Sequence, residues 1–98
     1  MMAIENPILN YENLSFLQKK IEINDAGPEE FERLQFYISL IGGDSDFLIK
    51  ELRLNGINSF EEYKLLSSID PTRKDVRTFK SYVSGAMTIL LSRVNKEI

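Results

Sequence analysis

Paired carboxylates, a double glycine and a short run of bases are the groups in this chain whose types and spacing could do chemistry. Asp44 with Asp46, and Glu61 with Glu62, are close enough in sequence to act as an acid–base pair or to hold magnesium. Each has a simpler role: Asp44 stands where a helix would be capped, and Ser59-Phe60-Glu61-Glu62 has the form of a capping box, with Glu62 reaching back to the Ser59 amide. Gly42-Gly43 precedes a helix, where backbone amides can hold a phosphate. No Lys-Ser/Thr pair follows it, no strand precedes it, and Asp44 and Asp46 would repel the ligand, so it is read as a turn between helices. Cys and His are both absent. That removes the Ser–His and Cys–His nucleophile systems and the usual zinc, copper and iron ligands. The expectation is a non-enzymatic protein with no cofactor, no metal and no small-molecule substrate.

The bases lie at the start of the last helix. Arg73, Lys74, Arg77 and Lys80 occupy its first turns, where the helix dipole disfavours positive charge. They either pair with Asp70, Asp75 or an acid on the N-terminal helices while covering the core edge, which is the preferred reading, or they hold an acidic partner surface or a nucleic-acid backbone. Tyr82 and Ile89 lie seven residues apart beyond the other edge of the same helix's apolar arc, with Gly85 and Ala86 between them. A large aromatic and a branched aliphatic so placed either widen the core or anchor a partner helix, which the small residues would let approach. These six residues are the candidate partner-binding set. Phe31 to Ile41, Gly42-Gly43 and Asp44 to Leu54 have the lengths of a helix-turn-helix. The second helix, however, sets Asp44, Asp46 and Glu51 against Lys50 and Arg53, the wrong sign for a DNA reader.

The elements that must position these residues are helices. Apolar residues recur at helical spacing, and no alternating run or hairpin turn signals a strand. Five helices are expected, over 7–23, 28–41, 44–55, 59–68 and 71–96, in an all-α bundle that forms a single domain over 1–98. Asn6-Pro7 and Asp70-Pro71 read as cap-plus-proline starts, and Asp25 and Pro28 open the second helix. Gly42-Gly43 and Asn55-Gly56 read as stops, with Ile57 packing back. Phe36 to Ile41 is apolar nearly all round, which places it at the heart of the fold; the alternative, an exposed sticky face, is disfavoured because monomers rarely leave such a patch open. In the last helix Val76, Phe79, Val83, Ala86, Met87, Leu90, Leu91 and Val94 fall in one arc of about 140°, the expected core face.

Leu54-Asn55-Gly56-Ile57-Asn58-Ser59, followed by Phe60-Glu61-Glu62-Tyr63, resembles the turn between helices in SAM-type and helix-hairpin-helix domains, which similarly run Leu-x-Gly-Ile-x-Ser into an acidic helix. The resemblance covers about a tenth of the chain. It lacks the Gly-x-Gly hairpin of the latter family and the aromatic-rich opening helix of the former, so it implies a turn geometry and no function. Size and helix count are also similar to those of death-fold adaptors, in architecture alone.

The 98 residues are 43% apolar and 28% charged, a globular balance with room for one core. Net charge is −3, unevenly spread: residues 1–60 hold ten acids and five bases, residues 61–98 five acids and seven bases. The N-terminus has no basic start or apolar stretch of a signal peptide, and no apolar run approaches a membrane span, so a cytoplasmic location is expected. The functional expectation is a protein-interaction module, such as an adaptor, inhibitor or small subunit, acting on a protein partner or a second copy through its last helix. The alternative is a nucleic-acid-associated regulator using the basic strip.

Overall fold

Local signals for starting and stopping helices explain most of the topology. The computed structural model describes residues 9–94, and these form α1 (Tyr11–Glu22), α2 (Pro28–Leu40), α3 (Phe47–Leu54), α4 (Phe60–Ile69) and α5 (Lys74–Arg93), with no strand among them. The protein is all-α, as its periodicity requires.

Three helices stop by the same device. Asn24, Gly42 and Gly56 take φ of 61°, 83° and 78°, the left-handed region that ends a helix. The following amide then turns back: Asp25 N donates to Lys20 O at 2.8 Å, Gly43 N to Ile38 O at 2.9 Å and Ile57 N to Leu52 O at 3.1 Å. Ile57 is buried by this turn, as expected.

Helix starts differ from the expectations in three places, and one cap differs in its partner. The Asn6-Pro7 start lies outside the described residues, and α1 begins at Tyr11, where Asn10 Oδ1 accepts from Asn13 N at 2.8 Å. At α3, Asp44 closes a turn instead of capping. Its Oδ1 accepts from Asp46 N at 2.9 Å and its carbonyl from Phe47 N at 3.1 Å, so the helix starts only at Phe47. At α4, Ser59 Oγ accepts from Glu62 N at 3.1 Å, but Glu62 Oε1 takes the Asn58 amide at 2.8 Å rather than that of Ser59. At α5, Asp70 holds Thr72 Oγ1 at 2.9 Å and its carbonyl accepts from Arg73 N at 3.1 Å. Pro71 therefore sits in a turn, and the helix begins at Lys74, three residues later than the Asp-Pro signal implies.

The core is gathered around α5. Val76, Phe79, Val83, Met87 and Leu90 are fully buried, and Ala86, Leu91 and Val94 pack at its margin, matching the expected arc. Leu14, Leu17 and Ile21 of α1 face it, and so do Phe31, Leu34 and Tyr37 of α2. The expectation that all of Phe36 to Ile41 is central is corrected. Tyr37 and Ile38 are buried, but Phe36 and Leu40 are 37% and 52% exposed. α2 packs on α3, α4 and α5, while its stripe at 36 and 40 stays exposed. Among the described residues, no helix is long and apolar enough to cross a membrane.

Candidate functional site

One edge of α5 forms the wall of an open groove. Tyr82, Gly85, Ala86 and Ile89 follow one another at helical spacing along this edge, and Arg93 ends it. The opposite wall is the end of α2 and the turn into α3: Ile38, Ile41, the Gly42-Gly43 pair and Phe47. The space between them is about 470 Å³. Phe47 meets Tyr82 edge-on, ring centres 6.1 Å apart at 76°, which fixes the aromatic end of the groove. Tyr82 and Ile89 remain 43% and 54% exposed.

Two glycines in the groove have opposite reasons for being there. A Cβ on Gly43 would come within 2.7 Å of Ile38 Cγ2, so the turn can close only over a glycine. A Cβ on Gly85 would meet nothing within 4 Å. Glycine inside a helix costs about 1 kcal/mol relative to alanine, and nothing in this fold requires it at 85.

The Asp44 carboxylate on the rim is committed to its own neighbours. Asp44 Oδ2 accepts from Lys50 Nζ at 3.0 Å. That bond, joined by the Asp46 amide, holds the Asp44 carboxyl below its ordinary range and raises the Lys50 ammonium. Asp44 is thus occupied by its own turn. No group of three or more Asp or Glu side chains that could hold a metal occurs among the described residues.

The four bases divide. Arg73 lies against Asp75, Nε to Oδ1 at 3.1 Å. Lys80 donates from Nζ to Glu22 O at 3.1 Å and Asn24 Oδ1 at 3.0 Å, placing its charge at the C-terminus of α1, where the dipole favours a cation. Lys74 and Arg77 are exposed, and no acid lies within ion-pair distance of either among the described residues. Together with Thr78, Ser81 and Tyr82 they border a shallow depression that shares Ser81 and Tyr82 with the groove. The structure therefore brings Lys74, Arg77, Tyr82 and Ile89 onto one continuous surface and gives Arg73 and Lys80 internal contacts.

The far wall of the groove was not singled out in the sequence. Ile38 and Ile41 read there as part of the central Phe36 to Ile41 stretch, and only chain folding brings them and Phe47 opposite Tyr82. Arg93, four residues after Ile89 on the same edge, carried a helical-spacing signal that could have marked it. The arrangement suits uptake of an apolar side-chain ridge, with free positive charge toward one end. Compared with protein-family models, curated proteins and solved structures, the chain matches none of them.

Proposed function

We propose that this chain is a non-enzymatic, cytoplasmic protein-interaction module, an adaptor, inhibitor or small subunit, that docks a protein partner along the exposed edge of α5. The observation that carries this reading is the groove itself, in which a half-exposed Tyr82 and Ile89 flank a glycine that the fold has no use for. Aromatic anchors beside small residues are the composition of a helix-docking surface. A nucleic-acid role for the basic strip is weakened by the internal contacts of Arg73 and Lys80, which leave two of its four bases free.

The test compares capture by the wild-type chain with capture by a Tyr82→Ser/Ile89→Ser variant shown by circular dichroism to be folded. Capture of the same protein by the wild type alone, surviving moderate salt, supports docking at the groove. Equal capture by both removes the groove from the interaction. Binding to DNA or heparin that vanishes by about 200 mM salt, with no groove-dependent partner, replaces the proposal with the nucleic-acid reading.

A further inference from the structure

Two exposed stripes on this molecule have the same spacing and complementary chemistry. On α5, Lys74, Arg77, Ser81 and Gly85 are all exposed and fall within an arc of about 80° at 100° per residue. On α2, Glu29, Glu32, Phe36 and Leu40 are likewise all exposed and have the same 3-4-4 spacing. Set side by side in parallel, the two stripes place Glu29 and Glu32 against Lys74 and Arg77, and the bulky Phe36 and Leu40 against the small Ser81 and Gly85. None of these four charges has an ion-pair partner of its own among the described residues, whereas the neighbouring Glu30 is held by Lys20 at 3.5 Å.

From this match we infer that the partner docked along α5 is a second copy of this chain, presenting the outer face of its α2. The inference rests on the docking reading above and names its occupant. It gives a role to two features the isolated fold leaves without one: a glycine whose Cβ would meet nothing, and an exposed Phe36 and Leu40 on the same face of α2 as the two unpaired acids. A two-fold pairing of α5 on α5 is disfavoured by charge. Arg77 and Arg93 each stand eight residues from Gly85, so an antiparallel crossing there sets arginine against arginine, and a parallel one stacks Arg77 on Arg77. Pairing α2 with α5 uses different faces on the two copies. Where each copy docks its α2 on the other's α5 at once, a closed dimer results; where only one such contact forms, each copy keeps one face free and assembly continues into a ring or an open chain.

The experiment uses two full-length variants, each spoiled on one face. Phe36→Ser/Leu40→Ser loses the α2 ridge and keeps α5; Arg77→Glu/Gly85→Gln keeps α2 and blocks α5. Sedimentation of the wild type up to about 100 μM, where contacts of micromolar affinity are populated, is expected to show concentration-dependent assembly weakened by salt, to a closed dimer where both contacts form between the same two copies and beyond a dimer where they do not. Each variant alone is expected to be a folded monomer, and an equimolar mixture is expected to stop at a one-to-one dimer. A wild type that stays monomeric overturns the inference. So does a closed dimer that survives in either variant alone. If the wild type is monomeric but still captures another protein in a Tyr82- and Ile89-dependent way, docking along α5 stands and only the second copy is lost. If groove-dependent capture is also absent, both fall.

Discussion

Where α4 lies against the first half of α5, four aromatic side chains from three helices close on one another. Phe31 stacks on Phe60 with ring centres 5.0 Å apart, Tyr63 meets Phe79 edge-on at 4.8 Å, and Phe79 lies 5.7 Å from Phe31. On the groove side of α5, Phe47 and Tyr82 meet at 6.1 Å, and the groove beyond them is open. Both regions draw on α2 and α5 and both are rich in large apolar groups. The difference is cover. The first has a third helix across it; the second has only the Gly42-Gly43 turn and the first residue of α3, Phe47, along one side. Burial makes the first region a source of stability, and its absence leaves the second available to another surface.

The sharpest way to break this contrast is to remove one ring from the closed region. Phe79→Ala is expected to cost about 3–5 kcal/mol in a urea melt, since Phe79 is fully buried and in contact with three other rings. A midpoint near the wild-type value would mean that the aromatic corner does not hold the fold. Alkaline titration probes the same corner. Burial pushes the Tyr63 hydroxyl up to about 12, above the value near 10 it has when unfolded. The neutral form is therefore favoured by folding, and its contribution is intact below pH 10 and lost as pH rises from 10 toward 12, by about 2–3 kcal/mol. Tyr63→Phe is expected to flatten that loss; a melt series between pH 9 and about pH 12 that is unchanged by the substitution would contradict it.

A smaller loss is expected from the open region. Tyr82→Ser with Ile89→Ser removes two side chains that are each only about half buried, so the pair should cost about 2 kcal/mol, less than Phe79→Ala alone. A loss of several kcal/mol would make the groove part of the core and erase the distinction between the two regions.

The α5 side of the closed region was legible in the sequence, whereas Phe60 and Tyr63 were not marked as core and the open region was legible only in part, for a physical reason. Buried positions on α5 repeat at 3.6-residue spacing, and left-handed stops need glycine or asparagine, so both signals sit in consecutive residues. Helix starts were less legible because Asp44 and Asp70 can serve either a cap or a preceding turn with the same side chain, and here the turn wins. The partner of Lys80 lies more than fifty residues away, at Glu22 and Asn24, beyond any local pattern. Phe36 and Leu40 show a deeper limit. A helix apolar on every side has the same sequence whether all its faces are covered within one chain or one is left for another molecule.

Gly85 offers the smallest and most discriminating change. It sits inside a 20-residue helix, and its added Cβ would enter open space, so Gly85→Ala should restrict the unfolded chain and improve helix propensity with no steric cost. The expected outcome in the isolated chain is a gain of up to about 1 kcal/mol, read as a higher urea midpoint at unchanged slope. The same methyl group would stand on the surface at which another helix is proposed to come close. Stability and association should therefore move in opposite directions: the monomer becomes harder to unfold while assembly or capture weakens. A variant that is stabilised with binding unchanged would show that no close approach occurs at this position. A variant that is destabilised would show that the helix backbone at 85 depends on glycine for a reason internal to the fold, and the contrast with Gly43, whose reason is visible, would lose its force.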